Sequence, residues 1–454
     1  MMTPEENQRI EALTQRMTSR CVGRYLIDLP DDFVLNPIHR TVLEGVEISI
    51  EPMAYHRFNK ALRVRHEALK NERLMGEDTP SLTAVMPLSD EAGYVFNRSR
   101  NQSSKVLRKL ELIAFRDDHK IEMMVDARDM AQAEQIREND TRRTDVQEKL
   151  AHLLKIYSRV RGRADHEVPA EPGVCFANGF LQGAPTDAEQ VDLNYHLNSA
   201  EDVYFAFHSL SDLQQDDELL DRGPAIERML EESSGHTLRK GPVKGPIASA
   251  QEWLMSKTSS DSGLLYQHFT QEANAKTGSA ATPVLVLDMN AGIPIPGPAL
   301  SLEEAAVRKP LSRTTFSEAQ AVALWDKTAP TLRPRPVSGP ASPVKPVTVM
   351  PSEMDEAAPS AAPAQAAAPQ FPLGTAAASL QYCPQSGLWE CSAKPAIGDR
   401  RRYFLAGWTF PSVIVRGPER SLWQKLKGAP ANRLAGTTWT LVGYDLPETE
   451  GGEA

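Results

Sequence analysis

Proline sets the firmest limit on how this chain can fold. Eleven of its 34 prolines lie between Pro330 and Pro372, interleaved with Ala, Ser and Val. Proline has no backbone donor, and this composition offers too little apolar surface to offset the entropy of ordering. Residues 329–378 are therefore expected to form an extended, partly polyproline-II tether. A chain of 454 residues also exceeds the roughly 250–300 residues at which single cores stop growing. The tether would separate a large N-terminal region from a short tail.

Tryptophan marks the tail as folded. Trp389, Trp408, Trp423 and Trp439 are four of the six in the chain, and disordered segments are poor in aromatic residues. From Ala376 to Tyr444 nine Lys/Arg face three acids, whereas the whole chain carries a net charge of −10. Residues 379–446 are read as a small, basic, mainly-β module, and Asp445 to Ala454 as a loose acidic end.

The N-terminal region reads as α+β. Val46–Glu51 and Val191–Leu197 alternate apolar and polar residues with the period of a half-buried strand. Leu110–Phe115 and Ile121–Val125 flank Asp117-Asp118-His119 as the arms of a hairpin. Val146, Leu150, Leu153, Leu154, Tyr157 and Val160 form a helical stripe. Thr144 with Gln147 makes a capping box before that stripe, and Gly162 is expected to stop it. Pro169 and Pro172 interrupt the pattern beyond it. The boundaries expected are a first α+β domain over 1–165 and a second over 166–328. Each opens on a Cys-containing strand, Cys21 and Cys175, a weak hint of duplication.

Composition and motifs narrow the function. An acidic chain with pI about 5.6 is not built to take nucleic acid as its main partner. No stretch approaches the ~18 apolar residues of a membrane span, and Pro283–Met289 is a strand-length run, so no span is expected. Met1 to Arg20 contains no secretion signal. The sequence lacks a nucleophile elbow, a phosphate loop, a dinucleotide fingerprint and any C-x-x-C. His66-Glu67 and His166-Glu167 are not followed by the second His of a zinc protease. No catalytic, cofactor-binding or metal-ligating residue is assigned, and no cofactor is expected.

Three segments stand out as candidates. Tyr55–Leu74 reads as a helix with Tyr55, Phe58, Leu62 and Leu69 inward and Arg57, Lys60, Arg63, Lys70 and Arg73 outward. Its basic face would suit acidic lipid or nucleic acid, although a solvated face over a core stripe fits the acidic surroundings better. Asp212, Asp216, Asp217, Glu218 and Asp221 follow the aromatic strand Val203–Phe207. They read as a solvated loop, or as a surface that steers a basic partner. Cys383 and Cys391 bracket the turn formers Pro384 and Gly387. In an oxidising compartment they would form a structural disulfide, and otherwise remain buried thiols.

At Cys21–Pro30 the chain reads CVGRYLIDLP, after a short N-terminal helix, and at Gly173–Gly179 it reads GVCFANG. In this order and spacing the two motifs resemble the immunity-protein family cognate to class-4 type VI secretion lipase effectors. The resemblance implies two α+β domains arranged as a claw around a toxic phospholipase. Such a protein blocks the toxin's access to substrate and so protects the producing cell and its kin. The resemblance also implies the periplasm, whereas the chain as written has no signal before Cys21 and reads as cytoplasmic. The tail strings CPQSGLWEC, Arg400–Phe404, Leu422–Leu426 and Thr437–Leu441 resemble a small module appended to several type VI-associated proteins. Through it the chain would engage a second surface, on the toxin, on other type VI components or on the cell wall. Two alternatives to an immunity protein are a cytoplasmic adaptor or chaperone that loads a type VI effector, and a hydrolase of unrecognised class.

Overall fold

The computed structural model describes residues 2–295 and 311–350, apart from 76–77, 90–91, 103, 133–142, 260–261 and 341–343. Beyond these it describes 371–378, 381, 383–384, 387–392, 401–404, 413–416, 432–435 and 437–443. The chain divides into two compact units, Met1–Ile295 with Leu311–Pro359, and Pro296–Pro310 with Ser360–Ala454.

The strands of the first unit are β1 (Met17–Val22), β2 (Tyr25–Pro30), β3 (Phe33–Leu35), β4 (Arg40–Leu43), β5 (Val46–Pro52), β6 (Leu82–Pro87), β7 (Ala92–Ser99), β8 (Leu107–Arg116), β9 (His119–Arg128) and β10 (Val160–Gly162). They continue with β11 (Gly173–Phe176), β12 (Gly179–Gln182), β13 (Glu189–Leu197), β14 (Ala200–Leu210), β15 (His236–Pro242), β16 (Gln251–Thr258), β17 (Leu265–Ala273), β18 (Val284–Ala291) and β19 (Arg333–Pro334). The helices are α1 (Pro4–Leu13), α2 (Tyr55–Asn71), α3 (Val146–Tyr157), α4 (Gly223–Glu232) and α5 (Glu318–Thr328).

The alternating segments lie where their periodicity put them. β5 and β13 bury every second residue. The β8–β9 hairpin turns at Asp117 and Asp118, both at positive φ (50° and 58°), the geometry of a tight hairpin that Asp tolerates. The helix beginning at Val146 differs from expectation. Its capping box does not form, because Thr144 Oγ1 instead accepts from the Met130 N–H (2.9 Å) and the Asp145 carboxylate from the Arg128 N–H (2.6 Å). It also ends before Val160, which lies in β10 rather than on the helical stripe.

One sheet runs through the first unit. Among the described residues it has thirteen strands, in the order β15-β16-β17-β18-β14-β13-β4-β5-β9-β8-β7-β6, with β3 also on β13. That order is the same pattern twice. The first half runs β4, β5, α2, β6 to β9, α3, β10, with sheet order β4-β5-β9-β8-β7-β6. The second runs β13, β14, α4, β15 to β18, α5, β19, with order β13-β14-β18-β17-β16-β15. The halves join where β4 pairs with β13, from Leu43↔Glu189 to Arg40↔Asp192.

The closing strands are exchanged between the halves. β10, after α3, pairs with β12 of the second half's opening hairpin, and β19, after α5, pairs with β2 of the first. The residue after each makes the same bond, Arg163 N–H to Asn178 O (2.8 Å) and Arg335 N–H to Arg24 O (3.0 Å). The two hairpins touch through Gly23 and Cys175, which exchange both backbone bonds, and through a Cys21–Cys175 disulfide with Cα atoms 5.7 Å apart.

Residues 329–350 therefore differ from the tether predicted for 329–378. They are packed onto the first unit. Arg335 is buried, and its guanidinium donates to the carbonyls of Pro169, Glu171 (3.0 Å) and Gly173 (2.8 Å). Ser338 and Gly339 donate to Ala170 O, and Met350 to Pro87 O. Prolines are tolerated here because the segment forms only a two-residue edge strand and short bridges, where missing donors cost little. Of the rest of the predicted tether, 351–370 lies outside the described residues, and Ala376–Ala378 differ from expectation by pairing with Thr438–Thr440 in the second unit.

In the second unit β20 (Ala376–Ala378), β21 (Gly387–Cys391), β22 (Arg401–Phe404) and β25 (Thr438–Gly443) form a sheet in the order β20-β25-β21-β22. β23 (Val413–Arg416) pairs with β24 (Asn432–Ala435). Trp389 and Trp439 are fully buried. Trp408, Trp423, Arg400 and the Leu422–Leu426 string lie outside the described residues. Of the two states expected for Cys383 and Cys391, the structure has the buried thiols. Cys391 is held in the ladder opposite Trp439.

The Cys21–Cys175 bond closes a loop of 154 residues. Replacing both by serine is expected to cost about 2–5 kcal/mol of stability to urea, by freeing the unfolded chain. Arg335→Ala, which leaves three buried carbonyls without their donor, is expected to cost about 2–4 kcal/mol. Paired urea curves for wild type and each variant check both.

Candidate functional site

The site is built from the parity of the sheet. Residues directly opposite in a ladder share a face. Glu47 faces Met124 and Val42, Val42 faces Gln190, Asp192 faces His208, Ala206 faces Asp288, and Asp288 faces Thr270. All of these lie on one side. The other side carries Ile48, Ile50, Met123, Leu193, Phe205, Leu287 and Phe269, buried in the main core with residues of α1, α3 and α5.

On the first side, among the described residues, cover comes from two helices at equivalent places in the two halves. α2 lies over β7 and β8, with Phe58, Leu62 and Leu69 packed against Phe96 and Ile113. α4 lies towards the other end, with Leu230 against Trp253 and Met255. Between them the sheet is open: Glu47, Ser49 and Glu51 are exposed and Asp192, Asn194 and His196 half-buried.

The open floor is polar and ordered by side-chain bonds. His208 Nδ1 lies 2.7 Å from Asp192 Oδ1, and Thr270 donates to Asp288 over 2.7 Å. His268 Nδ1 lies 2.9 Å from Asn290 Oδ1. Burial alone would depress the His208 pKa, but the bond to Asp192 and the charges of Asp192 and Asp288 outweigh it, so the value is raised. Desolvation, with Asp288 and Tyr266 nearby, pushes Tyr204 up to about 12, so its hydroxyl stays protonated.

The walls differ. α2 is flanked by two grooves, of about 280 Å³ beside Arg63, His66 and Tyr94 and about 420 Å³ beside Val64, Arg65 and Ile113. It is tied down by Arg65, which with Arg98 grips the buried Glu111 carboxylate at 2.7 and 2.5 Å. Burial would raise the Glu111 pKa, but the two guanidiniums outweigh it and hold it below the usual carboxylate range.

The segments singled out in the sequence fall around this floor. The Tyr55–Leu74 helix is α2, with Phe58, Leu62 and Leu69 buried, whereas Tyr55 is 51% exposed. The acidic segment lies between β14 and α4. Asp212 accepts from Gln190 on the floor (2.5 Å), Asp221 pairs with Lys276 (2.6 Å) and Glu218 accepts from Gln251 (2.5 Å). His66 packs on Tyr94 and Phe96, and Glu167 pairs with Arg161. Among the described residues no group of three or more His, Cys, Asp or Glu could hold a metal ion, and no helix is long and apolar enough to cross a membrane.

The sequence reading missed what joins the halves: the Cys21–Cys175 bond, the Arg24–Glu189 pair (2.7 Å) and Arg163, which is buried among backbone carbonyls. A signal was present. Arg161-Gly162-Arg163 and Arg333-Pro334-Arg335 each follow the last helix of a half.

Comparison with known proteins agrees with this two-part layout. Residues 18–163 match the Tle cognate immunity protein 4 N-terminal domain, and residues 167–337 the Tle cognate immunity protein 4 C-terminal domain. The chain belongs to this family of immunity proteins. Its fold is similar to that in the crystal structure of a Tle4–Tli4 complex, at 19% identity, a TM-score of 0.53, and coverage of 71% of this chain and 98% of that one. It is similar, with the same score and coverage and 18% identity, to the apo immunity protein TplEi of the type VI secretion system from Pseudomonas aeruginosa. No curated protein matches in sequence.

The His208–Asp192 pair gives a signed pH effect. A folded pKa above the unfolded value of about 6.5 means that the stabilisation is complete below about pH 6.5 and lost as pH rises through the folded value. Asp192→Asn removes the charge while burial remains, so the His208 pKa is expected to fall below 6.5. An NMR titration of the His208 ring in both proteins checks the sign.

Proposed function

We propose that this chain protects its producer by binding a cognate type VI lipase effector one to one and covering the lipid's route to the toxin's active site. The observation that carries the reading is the match of both immunity domains, in order, across residues 18–337. The solved relative in a Tle4–Tli4 complex supports a lipase as partner. The chain is a binding protein and does no chemistry in this role. Its two matched domains act as the two arms of a claw. The segment that joins Met350 to β20 serves as a tether, and the basic Trp-rich module of the tail, with β20 as its first strand, engages a second surface on the toxin or another type VI component.

The periplasm suits this reading better than the cytoplasm. A disulfide between the opening hairpins, Cys21–Cys175, persists in oxidising compartments. It speaks against the cytoplasmic loading adaptor.

The test is phospholipase activity of the effector encoded beside this gene, titrated with the full chain and with a chain ending at Met350. Activity is expected to vanish at one equivalent of either. Tight binding with activity unchanged would favour the adaptor. Inhibition by the full chain alone would move the essential contacts into the tail.

A further inference from the structure

We infer that the open face of the central sheet, between α2 and α4, is the surface that receives the lipase, and that it receives a basic patch on it. The inference rests on the immunity reading and adds where the partner docks and what charge it presents.

Charge is the first argument. Between the paired stretches Glu47–Glu51 and Val286–Asn290 the face carries Glu47, Glu51, Glu122, Asp192 and Asp288 against Arg40 and Lys120, five acids to two bases. Glu51 and Glu122 share Lys120, at 3.9 and 2.9 Å, whereas Glu47 has no ionic partner among the described residues. The segment from Asp212 to Asp221 continues the acidic character along the rim, through the Asp212–Gln190 bond. Complementary charge steers encounter and fixes register. The occupant therefore opposes this floor with Lys and Arg.

Order is the second argument. On the floor half-buried Asp192 and His208 bond each other, and beside them buried Thr270 and Asn290 fix half-buried Asp288 and His268. Side chains already held in one geometry lose less entropy on binding.

Size is the third. From β9 to β18 the floor is six strands wide, or about 24 Å at strand spacing. With about five residues of each strand it spans roughly 400 Å², half of the ~800 Å² that one partner contributes to a standard interface. The facing sides of α2 and α4 supply the rest. Both halves contribute, so the complete surface exists only when β4 and β13 are paired.

The test measures association of the full chain with the effector encoded beside its gene, at low and physiological salt. Glu47→Lys with Glu51→Lys reverses the floor. Glu5→Lys with Glu148→Lys makes the same change in net charge on α1 and α3, on the covered side. The floor pair is expected to slow association at low salt at least tenfold, and the control pair less than twofold. Glu47→Gln with Glu51→Gln, which keeps shape, is expected to slow it about threefold and to guard against misfolding, checked by the melting temperature. If the two reversal pairs behave alike, or the floor pair binds as wild type does, the face is not the docking surface, and the immunity reading stands. Failure of the wild-type chain to bind or inhibit would sink the immunity reading and this surface with it.

Discussion

Four residue pairs between β4 and β13, from Leu43↔Glu189 to Arg40↔Asp192, make one sheet out of two repeated halves. Every feature of the candidate surface depends on this ladder. Because opposite residues share a face, it carries parity from one half into the other. A slip of one residue would set the Glu47 side of the first half against the buried side of the second. The Arg24–Glu189 pair and the Cys21–Cys175 bond lie beside the junction and oppose such a slip. The pairing is short, and so it is reinforced covalently, ionically and by the exchanged strands.

The same pattern explains why the two helices stand where they do. α2 follows the second strand of its half, as α4 does in the other, and both fall on the open side; α3 and α5 follow the last sheet strand and fall on the core side. A duplicated unit thus presents two walls and a floor without any element devoted to binding. What differs between the copies is chemistry. α2 presents Arg57, Lys60 and Arg63, whereas α4 carries Glu227, Glu231 and Glu232.

Local pattern made much of this legible. Periodicity at Val46–Glu51 and Val191–Leu197 located β5 and β13, and the turn at Asp117-Asp118 located the β8–β9 hairpin, because these signals are read within a few residues. Errors arose where distant partners decide. Thr144 left its helix for Met130, Val160 left the helical stripe for β12, and residues 335–339 packed against the linker between the halves despite the prolines around them. Cys21 and Cys175 are far apart in sequence, and each reads only as a residue of the strand that opens its domain. Their pairing follows from hairpins brought together by the fold. The floor itself was invisible, since which polar residues share a face depends on the register of six ladders, and no single strand encodes it.

The exchanged closing strands also set a schedule for the chain's biogenesis. The β1–β2 hairpin is local, but the outer partner of β2 is not made until Arg333–Pro334, near the end of the first unit. Contacts this distant in sequence form late and make for slow folding. A nascent chain therefore lacks its closing strand until almost all of the first unit has been made.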